Sequence, residues 1–382
     1  MKFGTGNKKS ISLRPAHDRY VWFALVGALG VVAGCLSQKL PSLPGLSNPE
    51  PIQWIDVHVH PIGGRGATAD YGSVVRAAIS VMEESGIVRM VLMPPPQIPG
   101  SRAPFDFEEF FPALKSYGSR FAFLGGGGSL NPMIQEADRN HSVSDALRAR
   151  FEKRAVEILQ AGAAGFGEIS PHHLSLVSDH PYYSVPADHP LLLALADITA
   201  RHEAVIDFHF DLVAQDINAP GWLASPPNPT VFKNNLVGFE RLLAHNRRAK
   251  IVWAHAGSDM FGHWTVSLSR KLLGQNANLY MSLRLAPGRA PQNHPLTAEG
   301  QVKPEWLMLL NEFPSRFVIG GDQMFVSPTV QQGPGTFFAQ RAGPVRQRTR
   351  IFLAALPHNL ARQIARDNAT QIYRLKDQGG LP

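Results

Sequence analysis

The sequence holds a single cysteine, Cys35, in 382 residues, which excludes an intramolecular disulfide and any metal site built on several thiolates. It is also short of charge. Asp, Glu, Lys and Arg make up 18% against 44% hydrophobic residues, a balance that excludes wholesale disorder. The net charge of +7 has little to say about partners, because Lys2, Lys8, Lys9, Arg14 and Arg19, offset by Asp18, place +4 of it before residue 35. The remaining +3 or so is too small to imply a polyanion, and no nucleic-acid partner is expected. No Gly-x-Gly-x-x-Gly follows the first strand pattern, which counts against dinucleotide binding. Nor is there a sequence repeat of the solenoid kind.

What is present begins with a basic leader, an apolar run from Tyr20 to Gly34, and a Pro/Ser-rich stretch from Ser37 to Pro51. That order reads as a secretion signal with a small-residue cleavage site. Val32-Ala33-Gly34-Cys35 resembles the bacterial lipobox, whose cysteine is lipidated and becomes the mature N-terminus. Leu36 rather than an aspartate follows, which by the same resemblance favours an outer-membrane lipoprotein of the cell envelope, facing the periplasm or the exterior. The alternative is an uncleaved inner-membrane anchor. At about fifteen residues the apolar run is short of the roughly 20 that span a bilayer. The domain reading is therefore a signal over residues 1–35, a linker over 36–52, and one catalytic unit over 53–382.

In that unit short apolar runs alternate with longer amphipathic ones. Strands are expected over residues 54–60, 89–94, 120–125, 163–170, 204–210, 250–257, 278–285 and 316–322, most of them continuously apolar as in parallel strands covered on both faces. Helices are expected over residues 71–85, 142–160, 189–203 and 231–246, the first stopped by Gly86. Eight strands alternating with helices favour closure into a (β/α)8 barrel over an open sheet. Gly125–Gly128 lacks the lysine and hydroxyl of a phosphate loop and reads as a tight turn at the barrel mouth. Residues 286–300 and 323–345, rich in Gly, Pro and Gln, read as long loops over the active-site face. Phe105, Phe107, Phe110 and Phe111 read as helix core.

His58-Val59-His60 carries the strongest chemical signal. Residues two apart on a strand face one side, so both imidazoles point into the barrel and can share a metal ion. Alone the pair says little. Its companions are Glu168 in the fourth strand, His209 ending the fifth, His255 ending the sixth and Asp322 closing the eighth. Four histidines and two carboxylates then reach one rim. A divalent ion there lowers the pKa of bound water towards about 7 and supplies hydroxide at neutral pH.

Asp56-x-His58-x-His60, Gly167-Glu168-Ile169, His209, His255-Ala256-Gly257, Gly320-Gly321-Asp322 and the closing run from Ile364 to Ala369 resemble the amidohydrolase superfamily, in particular its amidohydrolase-related branch. The resemblance spans roughly residues 53–375 and is specific for the superfamily, not for a substrate. It implies a TIM-barrel hydrolase with one or two divalent ions, zinc first, with manganese or iron as alternatives. His58, His60 and Asp322 would hold one ion, His209 and His255 a second, and Glu168 would bridge them. In single-metal branches His58, His60, His209 and Asp322 hold the ion, and His255 polarises water or substrate. Asp322 and His255 are thus the catalytic candidates, with Asp322 as proton acceptor.

The implied reaction is hydrolysis of a carboxylic ester, lactone or amide of a small molecule by metal-activated hydroxide. Non-oxidative decarboxylation by a single metal and phosphoester hydrolysis are the alternatives, and a non-catalytic surface-binding lipoprotein comes last. Homo-oligomerisation stays open. Arg284, ending the seventh strand, is a candidate for a substrate carboxylate or phosphate. His172 and His173 are candidate substrate contacts, and Asp259 and His263 weaker ones. Asp56 and Asp207 could orient the histidines or form strand-start salt bridges.

Overall fold

The computed structural model describes residues 52–100, 105–177 and 180–375. Cys35, the signal and nearly all of the linker lie outside them. No helix of the described residues is long and apolar enough to cross a membrane.

Eight parallel strands form the centre: β1 (Trp54–Ile62), β2 (Ile87–Leu92), β3 (Phe121–Phe123, resuming at Gly125–Gly126), β4 (Gly165–His173), β5 (Val205–Phe210), β6 (Lys250–Ala256), β7 (Leu279–Leu283) and β8 (Phe317–Ile319). Each pairs in parallel with its neighbour in sequence, and β8 pairs with β1, Ile319 opposite Asp56. The two parts of β3 face different partners, Phe121–Phe123 against β2 and Gly125–Gly126 against β4, which completes the ring. The expected (β/α)8 barrel is therefore what the chain forms.

The core has two main parts. Outer faces of the strands pack against the helices in one large cluster that includes Trp54, Phe166, Phe208, Trp253 and Phe317. Ile55, Val57, Val91, Val205, Val252 and Val318 form a smaller cluster with Ile372, Tyr373 and Leu375, so the last helical segment plugs one end of the barrel. Asn368 fixes that plug by donating to the carbonyls of Pro314 and Phe317, beside the start of β8, at 2.8 and 2.7 Å. The plugged end is thus the strand-start end, and the strand-finish end stays open for chemistry.

Strict alternation along β1 cannot put Ile55 and Val57 inside together with His58 and His60. The register of β1 against β2 shifts between Asp56 and Val59, which hands the inward face from odd to even positions. Similar shifts occur in β4 around Ile169 and in β6 between Trp253 and Ala256.

The helix over Tyr71–Ser85 matches expectation. Asp70 accepts from the Ser73 N–H at 2.9 Å at its start, and Gly86 in the left-handed region ends it. The other three expected helices run over Asp145–Gln160, Pro190–His202 and Leu236–His245. Gly125–Gly128 is not simply a turn. Gly125 and Gly126 continue β3, and Gly127 and Gly128 lead into an unexpected helix, Leu130–Arg139. A Cβ on Gly128 would overlap the Phe105 carbonyl, so the close chain approach requires glycine there.

Residues 323–345 are not one long loop either. Gln323–Val326 pairs with the end of β1, and helices cover Pro334–Ala339 and, beginning at residue 342, Ala342–Ala355. Gly333-Pro334, a helix-start signal inside a Gly/Pro-rich stretch, is what composition alone obscured. Phe105, Phe107 and Phe110 are buried in the core, as expected.

Candidate metal centre

The six side chains anticipated as ligands meet at the open end of the barrel. His58 Nε2 and His60 Nε2 lie 3.1 Å apart, and His60 Nε2 is 3.2 Å from Glu168 Oε2. On the other side His209 Nδ1 lies 2.5 Å from Glu168 Oε1 and 3.0 Å from His255 Nε2. One carboxylate therefore turns Oε2 to the first histidine pair and Oε1 to the second. Asp322 Oδ1 is 3.6 Å from His60 and 3.9 Å from His58. Three overlapping groups of donor atoms result: His58, His60 and Glu168; His58, His255 and Asp322; and Glu168, His209 and His255.

This donor set fits divalent ions. Donor atoms on a tetrahedral ion with metal–nitrogen bonds of about 2.0–2.1 Å stand about 3.3 Å apart, close to the separations within each histidine pair. Two ring nitrogens facing each other share at most one proton, whereas a cation takes both lone pairs. Three of the four histidines are also held from behind, leaving the inner nitrogen aimed at the centre. His60 Nδ1 meets the Met93 carbonyl at 3.1 Å, and His209 Nε2 meets Asp211 Oδ2 at 3.3 Å. His58 Nδ1 lies 3.0 Å from Asp207 Oδ1 in an ion-pair contact. Such outer contacts fix ring orientation and tautomer.

Charge supports the same view. Burial disfavours the Glu168 carboxylate, yet His209, His255 and His58 outweigh it and hold the group well below the usual carboxylate range. Burial also disfavours protonated His58, but Asp207 and Glu168 push it well upward. Against the same penalty Glu168 and Asp211 push His209 up to about 10. Without metal, protons on His58 and His209 balance the buried carboxylates, a balance that cations would replace. Burial brings His255 down to about 4, so it presents a neutral imidazole. Asp322 stays ionised despite burial because Arg284, His255 and His58 face it.

Backbone geometry marks two of these positions. His255 and Asp322 carry positive φ, 70° and 51°, at the finish of β6 and just beyond β8. Non-glycine residues enter that region at a cost, and they cluster where a site needs a side chain re-aimed. Gly321 lets the chain after β8 approach β1, since a Cβ there would lie 2.6 Å from Asp56 Oδ2.

The remaining candidates divide. Asp207 orients His58. Asp56 orients no imidazole: its carboxylate accepts from the Gly321 and His58 N–H groups at 2.8 and 3.2 Å and from the Gln323 amide, tying β1 to the segment after β8. Arg284 lines the cavity above the centre, with Nε 3.2 Å from Asp322 Oδ2 and Nη1 donating to Ser258 Oγ at 3.0 Å. His172 does not line that cavity. Its Nδ1 meets the Asp211 carbonyl at 2.6 Å and its Nε2 the Tyr182 hydroxyl at 3.3 Å, because the register shift in β4 turns it away. His173 lines the cavity instead, stacked on His209 with ring centroids 4.2 Å apart.

Asp259 accepts from the N–H groups of Phe261, Gly262 and Trp264 and from Asn293, which makes it a loop organiser. His263 Nδ1 accepts from the Ala214 N–H at 3.1 Å and is structural as well. Asp211 and His180 line the cavity and were not anticipated. The signal for Asp211 was its place two residues after His209, whereas His180 sits in a loop with no pattern to mark it.

No protein-family model matches the chain, and no curated protein matches it. Solved structures that resemble it include a uronate isomerase from Bacillus halodurans C-125, at 12% identity over 79% of this chain and 69% of that one, TM-score 0.47. An L-hydantoinase (dihydropyrimidinase) from Arthrobacter aurescens matches at 16% identity over 86% and 72%, TM-score 0.46. An amidohydrolase from Mycobacterium avium subsp. paratuberculosis K-10 matches at 14% identity over 80% and 74%, TM-score 0.40. The barrel's own strand order establishes the fold.

Proposed function

We propose that the protein is a metal-dependent hydrolase of the amidohydrolase type that opens a carboxylic ester, lactone or amide of a small molecule. The observation that carries this reading is Glu168, whose two oxygens face two separate histidine pairs at the open end of a closed parallel barrel. His58, His60 and Asp322 would hold one divalent ion, His209 and His255 a second, with Glu168 between them. Bound there, such ions supply an acidified water and an electrophile for the carbonyl oxygen.

The chain's own groups account for the rest. The water oxygen bonds to the carbonyl carbon, the C–O or C–N bond breaks, and one proton passes from water to the leaving atom. Asp322 Oδ1, which faces the histidines, takes that proton and returns it. Arg284 against Oδ2 keeps the carboxylate ionised beforehand. Asp207, Asp211 and the Met93 carbonyl hold the rings in place. The cavity admits a small molecule of moderate size, with a volume of about 560 Å³.

The test is metal content per chain of purified protein and of a Glu168→Ala variant, with turnover of an ester, lactone and amide panel. About two equivalents falling to one or none, together with turnover that needs the metal, is expected. One equivalent in both proteins would sink the bridged centre. Release of carbon dioxide from a carboxylated aromatic, without hydrolysis of any panel member, would select the decarboxylase. We also propose that the protein is tethered to the bacterial envelope through Cys35, a proposal supported by Val32-Ala33-Gly34-Cys35 and the leader before it.

A further inference from the structure

The cavity over the centre is lined differently from the centre itself. Beyond the ligands, its wall is drawn largely from apolar side chains at the end of β1 and on the segments after β2 and β8, three strands that lie side by side: Ile62, Pro96, Ile98, Phe105, Met324 and Phe338. Leu176 and Met260 add apolar surface from the segments after β4 and β6. Ile98 and Leu176 are among the few large hydrophobic residues left exposed among the described residues, 36% and 39%, and both sit on this cavity. An exposed apolar residue is unremarkable alone, but two on the rim of an apolar cavity mark a binding surface.

Two polar side chains on this wall, Arg65 and Tyr71, are already engaged. Arg65 donates to Gln97 Oε1 at 2.8 Å. Tyr71 donates its hydroxyl proton to the Gly64 carbonyl at 3.1 Å and stacks its ring on Phe105, centroids 5.9 Å apart. The Phe338 wall is firmly placed as well, because its helix approaches β1 so closely that a Cβ on Gly335 would overlap Ile62. Arg341 also lies 3.6 Å over the Phe337 ring of that helix.

We infer that the substrate carries a bulky, uncharged, apolar acyl or aryl group, seated against the wall formed by Ile62, Ile98, Phe105, Met324 and Phe338 while its reacting carbonyl faces the histidines. Two observations point the same way. The wall offers an apolar group contact area, and Arg65, the charged side chain on it, already donates to Gln97. Arg284, which follows β7, the neighbour of β8, is held by Asp322 and Ser258, so it serves the reacting end and not the apolar one. This inference rests on the hydrolase reading only for where the carbonyl lies.

Its test keeps the two apart. Straight-chain methyl ketones from 2-pentanone to 2-undecanone, which cannot be hydrolysed, are titrated into the full-length protein by calorimetry, metal-loaded and metal-free. In parallel, p-nitrophenyl esters from acetate to octanoate are assayed for turnover by the loaded protein. Ketone affinity should rise roughly fourfold per methylene, the transfer free energy of a buried CH2, and ester kcat/KM should rise with it. Phe338→Ala and Ile98→Asp should each flatten both series.

Flat ketone affinity in the parent protein, or a rise unchanged in both variants, overturns the inference. A rising ketone series with no ester turnover supports the inference and removes the ester from the hydrolase reading, and no turnover of the matching lactones and amides either would overturn that reading instead.

Discussion

His58 Nδ1 stands 3.0 Å from Asp207 Oδ1, and both side chains are fully shielded from solvent. The carboxylate on β5 thereby sets the ring of the β1 histidine and leaves Nε2 facing His60 and Glu168. Asp207→Ala should weaken metal binding about 10- to 100-fold, the usual cost of losing a partner behind a ligating histidine. Competition with a chelator of known affinity reads this directly, and unchanged affinity would assign Asp207 to packing alone.

Metal uptake should release protons. His209 is held up at about 10 in the metal-free protein, so below that pH its Nδ1 must lose a proton before it can serve as a ligand. For the ion held at His209, this proton alone should make apparent affinity climb with pH, up to tenfold per unit, until its share levels near that value. The stability that His209 gives the metal-free protein has the opposite sign: full below the unfolded value of about 6.5, it is lost as pH rises through about 10. Loading followed in weakly buffered indicator dye, and thermal unfolding of the metal-free protein across that window, test both halves.

Asp322→Asn should lower kcat by about 10²- to 10⁴-fold, as expected for loss of a general base. The partner variant Arg284→Met should act through pH. With the guanidinium gone, the Asp322 carboxyl loses a contact that keeps it ionised, so the acid limb of kcat/KM should move to higher pH. An unmoved limb would show that Arg284 does not tune this carboxylate.

Trp253 on β6 is fully buried, stacks on Trp264 with centroids 3.6 Å apart, and donates to the Phe210 carbonyl at 3.1 Å. Trp253→Ala should cost about 3–5 kcal/mol. Denaturant unfolding measures it, and a cost below about 1 kcal/mol would mean the cavity collapses without strain.

Cys35→Ser should abolish lipid attachment. In a bacterial host fed labelled palmitate, the parent chain should incorporate label and fractionate with the envelope, and the variant should do neither. Envelope retention of an unlabelled parent would favour the uncleaved anchor.

Much of this was legible in the chain itself. The eight apolar runs were long, regularly spaced and separated by amphipathic stretches, and a parallel strand buried on both faces needs no more signal than that. Tyr71–Ser85 could be placed because Asp70 and Gly86 are local punctuation. Leu130–Arg139 and Pro334–Ala339 were missed because each adjoins glycines or prolines, which read as loop. The glycines at 127 and 128 answer to the approach of Pro94 and Phe105, contacts distant in sequence.

The sequence by itself marked six candidate donors, five of them on strands and Asp322 just beyond β8, because residue type and approximate strand position are local properties. Only the tertiary structure decided how they aim. Register shifts in β1, β4 and β6, beside His58, Glu168 and His255, come from mismatched pairing between strands and change which side chains face inward. They place His58 and His60 inside beside Val57, turn His172 away and bring His173 in. They also accompany a Glu168 that faces two histidine pairs at once. Pairing register is a relation between strands, so no single strand's residues could have specified it.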